Sequence, residues 1–169
     1  MNAVLAEWNR ADAQDALEEM LACCGARRWA AAMVARRPMQ DVVTLSTEAD
    51  KAWSTMEEAD WMEAFSCHPR IGERKAAHAS AQSAVWSRQE QAGTADATAG
   101  VIDELAEGNA QYEAKFGFTY IVCATGKSAE EMLEILNKRL GHTREEELQE
   151  AAEQQRQIMQ IRLGKWLTQ

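Results

Sequence analysis

SAEEMLEILNKRLGHTREEELQEAAEQQRQIMQIRLGKW, residues 128–166, is the stretch that decides the fold. Ser128 and Glu131 have the spacing of a capping box, in which the hydroxyl and the carboxylate each accept a backbone N–H at a helix start. The helix they open runs to Leu140 and is stopped by Gly141. Thr143 and Glu146 repeat the device and open a last helix that continues to Trp166. Within it Leu148, Ala151, Ala152, Gln155, Ile158, Met159, Arg162 and Trp166 recur at the three-to-four-residue spacing of one buried stripe.

Toward the N-terminus the same punctuation recurs. Helices are expected over 3–23 with a break near Arg10 and an end at Gly25, over 29–35 ahead of Pro38, and over 41–56. Asp60 with Glu63 has capping-box spacing for a further short helix. The turn Cys67-His68-Pro69-Arg70-Ile71-Gly72 cannot lie inside a helix. After it, residues 72–83 are polar and Ala-rich and read as a loop or weak helix. Ser83 is the expected cap of a helix over 83–92 that Gly93 ends. A longer helix over 96–115 stops at Gly117, with Gly100 and Gly108 weakening its interior. FTYIVCA, residues 118–124, alone has strand composition, and without a partner strand it reads as an extended segment. No repeat, low-complexity tract or linker interrupts the chain. The expectation is an all-α, single compact helical domain over 1–169, with at most one short extended segment.

The chain's 169 residues suffice for one real core, and its 46% hydrophobic and 27% charged content is that of a globular protein. A net charge of −9 argues against a nucleic-acid partner, which requires clustered Lys and Arg. No apolar run reaches membrane-spanning length and no signal pattern opens the sequence, so no membrane partner is expected. Cys23, Cys24, Cys67 and Cys123 form no C-x-x-C pair and fit free thiols in the cytoplasm. Ala124-Thr125-Gly126-Lys127-Ser128 imitates the end of a phosphate-binding loop, but Ile121 occupies the position of the required first glycine. His68, His78 and His142 lie far apart without metal-ligand spacing, so no metal site is expected.

Three features carry chemistry. Pro69 disfavours helix at His68, displaying an imidazole suited to proton transfer near neutrality; the alternative is a hydrogen-bonded turn histidine. Ser87, Glu90 and Gln91 share a helix face with Ser83, beside Val85 and Trp86. That face suits an amide-rich ligand, or is simply solvated. Arg162 falls on the apolar stripe of the last helix. A buried guanidinium needs a partner, either a protein carboxylate such as Glu90 or a substrate carboxylate, unless the side chain snorkels to water.

In this order these residues resemble the 2-oxo-4-hydroxy-4-carboxy-5-ureidoimidazoline (OHCU) decarboxylase family, over nearly the whole chain. The resemblance rests on Trp29, Arg37-Pro38-Met39, His68-Pro69, Ser87-Arg88-Gln89-Glu90-Gln91, Asn109, Tyr112, Lys115-Phe116-Gly117-Phe118 and Ile161-Arg162-Leu163. It implies an all-helical fold, often a homodimer, acting on the small molecule OHCU. The product would be (S)-allantoin with release of carbon dioxide in urate breakdown, with no cofactor. It further implies His68 and Glu90 as catalytic groups, with substrate contacts from Pro69, Ser87, Gln91, Tyr120, Ile121, Val122, Cys123, Ala124 and Arg162. The chain departs from the family in a short segment between Gly72 and Ser83, in Thr94-Ala95 for the usual Ala-Gly, in Gly108 where Leu is common, and in Tyr120 for Phe. The rival readings are an enzyme acting on another ureido acid and a non-catalytic acidic helical interaction module.

Overall fold

In the computed structural model, residues 2–73 and 79–169 are described. Among them the chain forms nine α-helices and one 3₁₀ turn, with no strand. The helices are α1 (Ala3–Arg10), α2 (Ala13–Cys23), α3 (Arg27–Ala35), α4 (Val42–Ser54), α5 (Glu58–Ser66), α6 (Ala81–Glu90), α7 (Ala99–Phe116), α8 (Ala129–Arg139) and α9 (Arg144–Trp166). The 3₁₀ turn, Ala92–Thr94, follows α6.

Local cap chemistry sets most of these boundaries. Asn2 accepts the Leu5 N–H, and Asp12 accepts those of Gln14 and Asp15, which separates α2 from α1 near Arg10 as expected. Asp41 caps α4 through the Thr44 N–H at 2.7 Å. Both halves of the Ser128–Glu131 box are made, at 3.1 and 2.9 Å. The Thr143–Glu146 box closes at 2.8 and 3.2 Å. Gly117 ends α7 in the left-handed region at φ 84°, a conformation that glycine adopts without a Cβ penalty.

Three expected starts are displaced. Helix α5 already begins at Glu58, and Asp60 lies in its first turn, accepting the Glu57 N–H at 2.9 Å. Glu63 instead takes the Arg27 N–H at 3.2 Å. Helix α6 is capped by Ser80, which accepts the Ser83 N–H, so Ser83 becomes a buried position inside the helix. Helix α7 opens at Thr98 rather than at Asp96. Of the loop or weak helix expected over 72–83, residues 74–78 lie outside the described residues, and His78 with them.

The chain divides into two compact units, one of residues 1–64 with Arg156–Gln169, the other Phe65–Gln155. In the first, α2 packs on α3 and α3 on α4 around Leu5, Trp8, Met20, Trp29, Met33 and Leu45. The buried indoles are satisfied: Trp8 donates to the Ala16 carbonyl at 3.0 Å and Trp29 to that of Ala49 at 3.1 Å. Trp166 meets Trp8 edge-on at 5.8 Å and donates to Glu19.

In the second unit α7 packs along α8. The approach is close enough that a Cβ on Gly108 would stand 2.6 Å from Leu136 Cδ2, so Leu136 fills the volume that a leucine at 108 would claim. Phe65, Tyr112, Phe116, Phe118 and Tyr120 form one aromatic cluster, with ring centroids 4.6 to 6.3 Å apart.

Candidate functional site

The His-Pro turn follows directly from the end of α5. The His68 N–H closes on the Phe65 carbonyl at 3.1 Å, Pro69 is buried, and the half-buried imidazole sets Nε2 2.7 Å from Gln155 Oε1 on α9. Beyond it the turn is tied down three times. Arg70 forks onto Glu113 of α7 at 2.6 and 2.9 Å, Asn109 donates to the Ile71 carbonyl at 3.2 Å, and the Gly72 N–H donates to Gln91 Oε1 at 3.0 Å. The carboxylate of Glu113 pushes the Arg70 guanidinium well above its ordinary value, so it stays charged. Gln91 therefore commits its carbonyl to holding the turn.

Helix α6 buries polar side chains beside Trp86. Ser83, Ser87 and Glu90 are 3, 3 and 7% exposed, whereas Val85 is 36% exposed. The polar face is thus buried rather than solvated, and burying a carboxylate is costly unless the surroundings compensate it. A cavity of about 490 Å³ opens beside Glu90, lined also by Gly93, Asp96, Gly126, Lys127 and Ser128. The phosphate-loop look-alike contributes a wall and a helix cap there. A second cavity, of about 470 Å³, is lined by Gly72, Arg88, Gln91, Thr94 and Ala95, the last two being a departure from the family pattern.

Residues 120–124 run through the unit without regular secondary structure, and all five are buried. Their backbone is partly committed. The Ile121 carbonyl accepts from Arg139 at 2.5 Å, the Cys123 N–H donates to Gln154 at 2.8 Å, and the Cys123 carbonyl accepts from Lys127 at 2.7 Å. The N–H groups of Ile121, Val122 and Ala124 and the Val122 carbonyl have no protein partner among the described residues. The Tyr120 phenol, present in place of Phe, donates to the Met132 carbonyl at 3.0 Å.

This segment is held by a buried ionic network. Glu147, fully buried, accepts from Arg139 Nε and from the Tyr112 hydroxyl, both at 2.5 Å, and pairs with His142 Nδ1 at 3.0 Å. Arg139 lies over the Tyr120 ring at 4.9 Å and that of Tyr112 at 5.9 Å. Burial, the largest single effect, works against its charge, but the bond to Glu147 and the electrostatic pull of Tyr112, Glu147 and Tyr120 together outweigh it and raise the guanidinium's pKa. Burial, reinforced by Glu147, pushes the Tyr112 phenol well up, and burial does the same to Tyr120, so both remain hydrogen-bond donors.

Arg162 lies in the first unit, where it is 2% exposed with Nη1 3.4 Å from the Ala22 carbonyl. The snorkelling alternative is excluded, and every member of the stripe from Leu148 to Trp166 is buried with it. Burial pushes the neighbouring Cys23 thiol far up against the opposing pull of Arg162, which favours the protonated thiol. Among the described residues no three His, Cys, Asp or Glu side chains are grouped to hold a metal ion.

His68, Pro69, Ser87, Glu90, Gln91 and residues 120–124 all belong to the second unit, with α9 contacting His68 through Gln155 and Cys123 through Gln154. Gln155, Arg139, Glu147, Gln154 and Lys127 are additions that motif reading missed. Gln155 alone carried a signal, as an amide on an apolar stripe.

The fold is a helical chain with a buried polar helix face, tied through Gln91 to a His-Pro turn. The chain belongs to the OHCU decarboxylase family, whose profile matches residues 9–164. It is 37% identical over 150 residues to the uric acid degradation bifunctional protein TTL of Arabidopsis thaliana, covering 88% of this chain and 46% of that protein. It is 35% identical over 97 residues to the OHCU decarboxylase of Amia calva, covering 57% of this chain and 55% of that protein. The chain thus spans about half the length of these relatives. A crystal structure of OHCU decarboxylase in the presence of (S)-allantoin superposes with a TM-score of 0.78 at 32% identity, over 90% of this chain and 99% of that one.

Proposed function

We propose that this chain is a cofactor-independent carboxy-lyase that converts OHCU to (S)-allantoin and carbon dioxide. The observation that carries this reading is the likeness to the OHCU decarboxylase crystallised with (S)-allantoin, which extends over 99% of that chain and 90% of this one.

The substrate's own name supplies the chemistry. One ring carbon bears both hydroxyl and carboxylate, its neighbour bears the ureido group, and an imidazoline ring contains one C=N bond. When the carboxylate leaves as carbon dioxide, the bonding pair flows toward that C=N bond and the ring nitrogen takes a proton from solvent. The hydroxyl then gives up its proton to become a carbonyl, and the ureido-bearing carbon gains one from a single face. The electron sink is internal, so neither a metal nor a carbonyl cofactor is required. His68 is the acid/base group, taking the hydroxyl proton and returning it to carbon. Glu90 orients His68 or accepts from the ureido N–H groups. Ser87, the Gln91 amide and backbone groups of residues 120–124 read the ring and ureido amides, and Pro69 packs against the substrate. Arg162 binds a carboxylate or carbonyl oxygen. Too firm a hold on the departing carboxylate would stabilise the ground state and slow the reaction.

Freshly generated OHCU decays by itself to racemic allantoin. Adding the protein should accelerate loss of OHCU and make the product optically active. An unchanged rate with racemic product would leave the non-catalytic module or an enzyme for another ureido acid. The resemblance also suggests a homodimer in the cytoplasm, which sedimentation and cell fractionation test. Among the described residues no helix is long and apolar enough to cross a membrane.

A further inference from the structure

We propose that Gln155 is a positioning residue of this site, fixing the plane and tautomer of His68 through Oε1 and offering its amide N–H₂ to an oxygen of the substrate. This inference rests on the reading of His68 as the acid/base group and adds the element that holds it ready.

Gln155 is fully buried on α9, on the stripe that otherwise carries Leu148, Ala151, Ala152, Ile158 and Met159. An amide in that company is unfavourable unless its polar atoms are matched. One is matched: Oε1 lies 2.7 Å from His68 Nε2. Oε1 can only accept, so the imidazole proton sits on Nε2, and in the neutral ring Nδ1 is the basic nitrogen. The other is not: Nε2 of Gln155 is buried without a partner among the described residues. Its two hydrogens call for an oxygen acceptor. The substrate presents carboxylate, hydroxyl and carbonyl oxygens next to the carbon at which His68 exchanges its proton. One rigid amide then registers the imidazole and the substrate against each other, which is how a positioning contact lowers a barrier. The adjacent Gln154 does a parallel task, holding the Cys123 N–H at 2.8 Å.

Gln155→Leu keeps the side-chain volume and removes both polar halves; Gln155→Glu keeps the acceptor and removes the donor. The tautomer of His68 is read from long-range ¹H–¹⁵N spectra of the labelled full chain, assigned by the loss of signals in His68→Asn. The wild type should show Nε2 protonated. Gln155→Leu should show mixed tautomers and a kcat reduced by about tenfold or more, with the melting curve preserved. Gln155→Glu should keep Nε2 protonated while KM rises. Nδ1 protonation in the wild type, or an unchanged tautomer with kcat/KM within about twofold of wild type in Gln155→Leu, overturns the proposal. If His68→Asn stays active while Gln155→Leu still shifts the tautomer, the catalytic role of His68 falls and the contact between the two stands.

Discussion

Replacing Glu147 with Ala removes a fully buried carboxylate that two buried donors and one half-exposed imidazole share. The main loss is at Arg139, 4% exposed, whose guanidinium would keep the Ile121 carbonyl, a long 3.4 Å bond to the Tyr112 hydroxyl and the faces of Tyr112 and Tyr120, but no carboxylate. Leaving one charge of a buried pair uncompensated costs about 3–5 kcal/mol. The Tyr112 hydroxyl, also stripped of its acceptor, adds up to about 1–3 kcal/mol if nothing replaces it. These effects share one network and do not sum, so a loss of about 4 kcal/mol is expected. For a chain of this size that is a fall in Tm of roughly 8–16 °C. His142→Ala, which removes only the 43%-exposed arm of the same network, should cost under about 1 kcal/mol. Urea titration and thermal melts of both variants measure this. A loss below about 1 kcal/mol in Glu147→Ala would refute the view that this carboxylate neutralises Arg139 and, through it, anchors residues 120–124.

Two further outcomes follow from single positions. Gly93→Ala places a Cβ 2.1 Å from the backbone carbonyl of Lys127, where no flexible side chain can yield, and should destabilise by about 1–3 kcal/mol in a denaturant titration. Asp41 has its carboxyl held below the ordinary 3.8, chiefly by the Thr44 N–H, so its stabilising effect is present above that value and is lost as pH falls through the lower folded one. Asp41→Ala should therefore be less stable than wild type near neutrality, the gap closing below about pH 4 in melts followed by circular dichroism.

Boundaries were legible in the sequence where one residue type met one local need. Asp41, Ser128 with Glu131, Thr143 with Glu146, and Gly117 all act within a single helical turn. Ser80 and Ser83 stand three residues apart and both satisfy the capping rule. Only the burial of Ser83 decides between them, and burial is a tertiary fact. Asp60 was misread for a related reason, since its carboxylate reaches back to the Glu57 N–H from inside the first turn.

Among the buried charges, Arg162 is legible because a guanidinium on an apolar stripe is conspicuous. Arg139 and Glu147 are not, because Lys138-Arg139 and Glu145-Glu146-Glu147 read as ordinary charges at a helix end and a helix start, favourable to the helix dipole. Nothing local says that one residue of each group turns inward. The Gly108 departure became intelligible only once Leu136 was seen in the space opposite.

The central claim, that His68 moves the proton that sets the product's handedness, is tested most directly by following the optical rotation of freshly generated OHCU with wild type and with His68→Asn. The account predicts rapid formation of (S)-allantoin with the wild type. The variant should melt as the wild type does, with OHCU decaying at its spontaneous rate to racemic product. Optically active allantoin formed at the wild-type rate by His68→Asn would contradict it.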